Sequence, residues 1–156
     1  MQQAGWDRDD SYYLLKVVHK DHETDRLPQN IDFLVKEMAA RIDMKHHVYQ
    51  EALYVIVNCT RSGLMRRAAF EAMFKDIMDS CRAMAGFTNI CKGFDYLFTC
   101  GFQPDVSLHF GKLINPDYAT QPYSFYFHYE MVHMMSAYAD MSKYIHPVIR
   151  LLDEYD

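Results

Sequence analysis

The chain has 156 residues, of which half are hydrophobic and 15% aromatic, and its formal net charge is −5. This composition predicts one globular domain over residues 1–156 and excludes a disordered chain. The acidic charge argues against a large phosphate-binding surface, because non-specific nucleic-acid affinity comes mainly from Lys and Arg. No apolar run approaches the roughly 20 residues of a membrane span, and residues 1–10 are polar. We therefore expect a cytoplasmic protein without a membrane partner.

The N-terminal half contains an ambiguous segment, a helix and a strand. Residues 12–18 fit either a helix capped at residues 9–11 or a strand. A helix is predicted from Asn30 or Asp32 to about His46, because apolar residues recur there at spacings of three and four. The run from Ala52 to Cys59 is rich in β-branched residues and predicts a buried strand.

A second helix is predicted over residues 65–85, where an apolar residue recurs at every fourth position from Met65 to Ala85. Arg61, Arg66 and Arg67 lie at its start, where exposed backbone N–H groups attract anions. These arginines are candidate phosphate ligands. The alternative is that they form a solvated helix end.

Residues 94–131 predict three antiparallel strands in succession: residues 94–100, 106–114 and 123–131. Apolar and polar residues alternate in each of them, and the turns between them contain Gly101, Pro104, Pro116 and Pro122. The fold class predicted is therefore α+β. An antiparallel sheet of this meander and the strand near 52–59 would carry helices on one face. The alternative is an all-α bundle, in which residues 52–59 and 123–131 belong to long helices.

The loop lengths of this meander place His109 opposite His128, and Ser107 opposite Glu130. Cross-strand neighbours of this kind have Cβ atoms about 4.5 to 5.5 Å apart. Two imidazoles and a carboxylate on one sheet face suit a divalent cation, so His109, His128 and Glu130 are candidate metal ligands. The alternative is that they are polar residues on the outer face. A divalent metal is the one cofactor that this pattern suggests.

After the meander the apolar period changes to that of a helix. Met131, Met135, Tyr138, Met141 and Ile145 mark one face of this predicted helix, and Pro147 ends or kinks it. A last short helix is predicted over Val148 to Tyr155. The four cysteines, in contrast, show neither C-x-x-C spacing nor a Cys/His pair, so buried free thiols are expected instead of a zinc ribbon or a disulfide framework.

The order strand, helix, strand, strand over residues 53–114 resembles the core of rolling-circle replication initiators of the His-hydrophobic-His class. In particular, Val106-Ser107-Leu108-His109 followed by Asn115-Pro116-Asp117-Tyr118 is similar to the replication-associated proteins of filamentous phages and mobile elements. The resemblance implies a metal-bound His pair that polarises a DNA phosphate and a tyrosine on a later helix that attacks it. Tyr138, with Lys143 beyond it, lies where that tyrosine would lie.

The chain departs from this pattern at the histidine pair. The partner positions of His109 hold Ser107 and Gly111, and the distance from Tyr138 to Lys143 is one residue too long. The leading hypothesis is therefore a non-catalytic, cytoplasmic protein-interaction or regulatory domain encoded by a mobile genetic element. Its partner would be another protein, since the acidic charge disfavours nucleic acid. The alternative is a metal-assisted nucleic-acid-processing domain that uses His109, His128, Glu130 and Tyr138.

Overall fold

The computed structural model describes residues 5–21 and 24–138 of the chain. In chain order their helices and strands are β1 Ser11–His19, α1 Ile31–Ala39, β2 Met44–Tyr49, β3 Ala52–Asn58, α2 Cys59–Ser62, α3 Arg67–Ser80, β4 Ala83–Phe87, β5 Cys91–Lys92, α4 Phe94–Thr99, α5 Gln103–Ile114, β6 Thr120–Pro122 and α6 Tyr123–Tyr138. The predicted α+β class is confirmed. The all-α alternative is wrong, because these strands form one mostly antiparallel sheet.

By its contacts the chain divides into two compact units, Met1–Tyr126 and Phe127–Asp156. The first contains the sheet and ends in the first turn of α6, and the described part of the second is the rest of α6. The prediction of one domain over residues 1–156 stays a prediction. None of the helices within residues 5–21 and 24–138 is both long and apolar enough to cross a membrane.

The elements from β1 to β4 follow the split β-α-β order, with the short α2 inserted before α3. The strand order is β2-β3-β1-β4-β6, and β5 also pairs with β1. All of these pairs are antiparallel except β4 with β6. Strand β1 lies at the centre, where Leu15 is opposite Val55 of β3 on one side and Phe87 of β4 on the other.

Strand β1 is buried on both faces of the sheet. Tyr13, Leu15 and Val17 belong to the main core, whereas Tyr12 and Val18 belong to two smaller clusters. Successive side chains of a strand point to opposite faces, so both faces of the sheet have to be covered. A strand with two apolar faces shows no clear period, which explains why residues 12–18 fit a helix and a strand equally well.

Helices α1 and α3 cover the first face. Leu34 and Met38 of α1 and Phe70 and Phe74 of α3 are each fully buried in the main core. The spacing of four residues in each pair places both side chains on one side of the helix. The ring of Tyr13 lies 4.8 Å from that of Phe70, centroid to centroid. Full burial of each such side chain contributes about 1.5–3 kcal/mol.

Helix α5 covers the second face, and Gly86 of β4 permits its close approach. A Cβ atom at Gly86 would lie 2.3 Å from the carbonyl oxygen of Pro104 and 2.8 Å from Cγ of Leu108. Leu108 packs there with Val18 and Met84. The backbones of β4 and α5 therefore lie closer together than any larger residue at position 86 would allow.

The predicted three-strand meander is wrong, because its segments form α4, α5 and α6. Pro104 lies in the first turn of α5, where a proline fits a helix. Leu108 is buried, whereas Val106 and Phe110 are only half-buried, so burial in α5 does not follow the alternation. Instead it follows spacings of three and four, at Gln103, Pro104, Ser107, Leu108 and Gly111. The aromatic residues that alternate in these segments are distributed around helices.

The placement of helices on one face of the sheet is also wrong. Helices α1 and α3 pack on the first face, whereas α5 packs on the second face against β4 and α4 packs near β1 and β5. Residues 94–100 and 106–114, which were predicted to be strands of the sheet, provide this second helical layer instead.

Most of the remaining predicted helices and strands are present, but they begin or end at other residues than predicted. The strand predicted over 52–59 is confirmed as β3, but the helix predicted to reach His46 ends at Ala39, and the helix predicted over 65–85 spans residues 67–80. Arg82 has a φ of 48°, a left-handed turn that directs the chain into β4. The helix predicted after the meander is confirmed as far as Tyr138. Its positions Met141 and Ile145, and the helix predicted over Val148–Tyr155, lie outside the described residues.

Substitution of Gly86 tests the contact between β4 and α5. We expect Gly86→Ala to lower the free energy of unfolding by about 1–3 kcal/mol, because the new methyl group has to displace the backbone at Pro104. Denaturant unfolding followed by circular dichroism measures the change. The matched control is Gly5→Ala, whose Cβ would meet its nearest atom, Nη2 of Arg61, at 3.8 Å. Equal stabilities of the two variants would contradict the packing.

Candidate functional site

The predicted metal ligands lie on two helices. His109 is on α5, whereas His128 and Glu130 are on α6. Their expected proximity depended on a strand register, and that register does not exist because both segments are helical. Among residues 5–21 and 24–138, no group of three or more His, Cys, Asp or Glu side chains could hold a metal ion. The predicted metal site therefore loses its geometric basis and stays a prediction.

His109 lines a charged pocket on the second face of the sheet. This cavity has a volume of about 520 Å³, and its polar lining consists of Lys16, Asp25, Asp105, His109 and Lys112. Asp105 and His109 are four residues apart on α5 and so lie on the same side of that helix. The pocket is formed where α5, the centre of β1 and the segment before α1 meet.

Lys16 forms ion pairs with both carboxylates of the charged pocket. Its Nζ lies 2.5 Å from Oδ1 of Asp105 and 2.6 Å from Oδ2 of Asp25. Nζ of Lys112 lies 3.6 Å from the other oxygen of Asp25. Burial alone would lower the pKa of Lys16, but its hydrogen bonds to Asp105 and Asp25 outweigh burial and raise that pKa. Lys16 is therefore charged and ion-paired at neutral pH.

The charges in this pocket balance, since two ammonium groups face two carboxylates. A divalent cation bound by Asp25 and Asp105 would have to displace the ammonium of Lys16. The ion pairs also join α5 and the segment before α1 to the centre of the sheet. The arrangement is that of a structural network.

Removal of the Lys16 charge tests this role. We expect Lys16→Met to lower the free energy of unfolding by about 1–2 kcal/mol, because methionine fills the volume of the stem but leaves the two carboxylates without their closest cation. The expected loss is modest because both carboxylates are more than one third exposed. Lys92→Met removes the same charge from an exposed position and is the control. A variant as stable as that control would contradict the proposed network.

The predicted phosphate ligands differ in their surroundings. Arg66 is exposed at the N-cap of α3. Nε of Arg67 lies 3.3 Å from Oε1 of Glu71, and its Nη1 donates a hydrogen bond to Oγ of Ser124 at 3.1 Å. Arg61 lies before α3, on α2. Acidic partners reduce the positive potential that a phosphate would meet, and phosphate binding at these arginines stays a prediction.

Arg61 belongs to a network that anchors the N-terminal segment. Its guanidinium lies 3.8 Å from a carboxylate oxygen of Asp10 and 3.8 Å from one of Asp43. Nδ2 of Asn58 donates a hydrogen bond to Asp10 at 2.7 Å, as does the backbone N–H of Asp7 at 3.1 Å. These hydrogen bonds, followed by the charge of Arg61, lower the pKa of Asp10 below its usual value.

The lowered pKa of Asp10 makes stability depend on pH. Because the folded pKa lies below the unfolded one, the stabilisation is complete above the unfolded pKa of about 3.9 and is lost as the pH falls through the folded pKa. We expect Asp10→Asn to be less stable than wild type at pH 7 and the difference to shrink below about pH 4. Urea unfolding at pH 7 and pH 3 measures this, with Asp9→Asn as the control. A difference that is the same at both pH values would contradict the assignment.

Tyr138, the predicted nucleophile, is the last residue described in α6. It lies in the unit Phe127–Asp156, whereas His109 lies in the unit Met1–Tyr126. The element order on which its role depended is wrong, because the two segments that follow α3 in the resemblance are helices and not strands. Its catalytic role stays a prediction.

An exposed aromatic surface, which sequence reasoning missed, lies on α4 and the turn that follows it. We use the name aromatic surface for Tyr96, Phe98 and Phe102, whose exposed fractions are 63%, 88% and 49%. The ring of Phe102 contacts that of Tyr123 edge to face, with the centroids 5.9 Å apart. Three large rings from seven consecutive residues are thus largely open to solvent.

The other side of α4 is firmly packed. Leu97 is buried in a cluster with Tyr12 and Cys91. The ring of Phe94 lies 4.6 Å from that of Tyr12 and 5.9 Å from that of Trp6, centroid to centroid. The aromatic surface is therefore carried by a helix whose inner side is fixed to the sheet. As a strand, this segment would place Phe94, Tyr96 and Phe98 on one inner face, which is why the exposure was not foreseen.

The described part of the second unit also exposes apolar side chains. Residues 127–137 of α6 contain Glu130 as their one Asp, Glu, Lys or Arg. Met131, Val132, Met134 and Met135 are each at least 40% exposed. Methionine-rich surfaces adapt to differently shaped partners, so the composition of this helix also suits protein contacts.

Comparisons of the chain with models of protein families, with curated proteins and with solved structures found no match. The resemblance to rolling-circle replication initiators therefore stays a prediction.

Proposed function

We propose that this chain is a non-catalytic protein-interaction or regulatory domain that acts in the cytoplasm and binds another protein through its aromatic surface. The observation that carries the proposal is the exposure of Tyr96, Phe98 and Phe102 on one short segment. Single exposed apolar residues are common, whereas grouped ones are typical of interaction sites. Large side chains of this kind also supply most of the binding energy in protein interfaces.

The packing beneath the aromatic surface supports the same proposal. Phe94 and Leu97 hold α4 against β1 and β5, so Tyr96 and Phe98 are presented by a backbone that is already ordered. A surface that is ordered before binding loses less conformational entropy when the partner docks. The partner would present a mainly apolar surface with a cleft that accepts the ring of Phe98.

The charges of the chain favour a protein partner over nucleic acid. The net charge is −5, and Arg61 and Arg67 each lie beside an acidic side chain. We also propose that a mobile genetic element encodes the chain, and the sequence resemblance is the one observation that supports this origin. The charged pocket is the feature that best suits the alternative, metal-assisted nucleic-acid processing, because His109 shares it with Asp25 and Asp105. Lys16 and Lys112 already neutralise those carboxylates, so we favour the interaction domain.

Substitution of Phe98, the most exposed ring of the aromatic surface, tests the proposal. The purified chain is used to capture proteins from extracts of its native cells, and the partner is then purified and titrated by calorimetry. We expect Phe98→Asp to raise the dissociation constant at least tenfold, because a few large side chains supply most of the binding energy of an interface. The side chain is 88% exposed, so the fold should be unaffected.

The matched control is Phe33→Asp, which changes an aromatic residue that is 49% exposed on α1. It should bind the partner as the wild type does. The proposal is wrong if the purified partner binds the wild type and Phe98→Asp with the same affinity, or if no protein binds the wild type at a defined ratio.

A further inference from the structure

Two of the four cysteines lie together beneath α4. Cys91 is buried in the cluster that contains Tyr12 and Leu97, and the half-buried Cys100 packs against the same cluster. Both thiols therefore border one apolar cluster, and the Cys100 thiol is close enough to that of Cys91 to raise its pKa. Cys91 lies three positions before α4, and Cys100 directly follows it.

Each thiol is held by a different part of the fold. Cys91 lies on β5 and is paired with Tyr12 of the central strand. Cys100 is the C-cap of α4, where its N–H donates to the carbonyl oxygen of Tyr96 at 3.0 Å and its own carbonyl accepts from Gln103 at 3.0 Å. A bond between the two sulfur atoms would therefore connect the end of a helix to the sheet.

We propose that Cys91 and Cys100 are a redox-active pair that forms a reversible intramolecular disulfide and fastens α4 to the sheet. The disulfide would close a loop of residues 91–100, which contains all of α4 with Tyr96 and Phe98. A closed loop has fewer unfolded conformations, so α4 would open less often in the oxidised chain. The inference does not depend on a partner for the aromatic surface.

The oxidant is a low-molecular-weight disulfide such as oxidised glutathione. The thiolate of Cys100, the more exposed of the two, attacks one glutathione sulfur, which breaks the glutathione disulfide and releases one glutathione thiolate. The thiolate of Cys91 then attacks Sγ of Cys100 and releases the second. The two protein thiols lose two protons and two electrons, and two reduced glutathione molecules carry them away.

The environment of Cys91 sets the speed of the second step. Burial, followed by its interaction with Cys100, raises the pKa of the Cys91 thiol to about 12. The thiolate is the attacking species, so ring closure should be slow at pH 7 and about tenfold faster for each unit of pH up to pH 9. The rate should continue to rise above pH 9, where that of an exposed thiol with a pKa of about 8.5 levels off.

Peptide mapping after oxidation tests the inference. The reduced full-length chain is incubated with oxidised glutathione at pH 7 and pH 9, quenched in acid, unfolded, alkylated and analysed by mass spectrometry. We expect a peptide pair joined through Cys91 and Cys100, with Cys59 and Cys81 alkylated. We also expect an unfolding midpoint about 5 °C higher, which dithiothreitol restores to its original value.

Two variants complete the experiment. Cys100→Ala should show neither the joined peptides nor the shift of the midpoint, whereas Cys81→Ala, which removes another buried thiol, should retain both. The inference is overturned if glutathione remains attached to Cys100 at pH 9 without ring closure. It is also overturned if Cys91 pairs with Cys59 or Cys81, or if all four thiols stay reduced.

Discussion

The burial of β1 on both faces is the constraint from which the rest of the structure follows. Tyr13, Leu15 and Val17 need a core on one side of the sheet, and Tyr12 and Val18 need cover on the other. Helices α1 and α3 of the split β-α-β order cover the first face. The second face is covered by α4 and α5, which come later in the chain, and the lack of a side chain at position 86 lets α5 approach.

The charged pocket, the aromatic surface and the thiol pair all lie in this second helical layer. The charged pocket exists because β1 places the ammonium group of Lys16 under α5. Asp105 of α5 and Asp25 of the segment before α1 neutralise it there. The aromatic surface exists because α4 uses Phe94 and Leu97 to pack, which leaves its outer rings in solvent. The thiol pair lies beneath the same helix. A single layer therefore contains a structural ion-pair network, an exposed apolar surface and the thiol pair for which we propose redox activity.

The sequence predicts those parts of the fold whose period matches their burial. The β-branched run of β3 is of this kind. Helix α3 was predicted, but its buried side carries Phe70, Phe74, Ile77 and Met78, whereas Met65 and Ala69 of the predicted face are exposed. The α+β class is confirmed although most of the strands from which it was predicted are helices. The segment after residue 94 misleads, because aromatic residues at alternate positions are typical of a strand, whereas here the helices expose some of them and bury others. The pocket could not be predicted either, since Lys16 and Asp105 are 89 positions apart and no local pattern connects them.

The central claim is that residues 103–114 and 123–138 are helical and that the sheet of the first unit is centred on β1. Backbone assignment by nuclear magnetic resonance, with measurement of contacts between strands, tests it most directly. The account predicts helical chemical shifts over both segments and contacts between Leu15 and both Val55 and Phe87. Extended chemical shifts over both segments, with cross-strand contacts between His109 and His128, would contradict it.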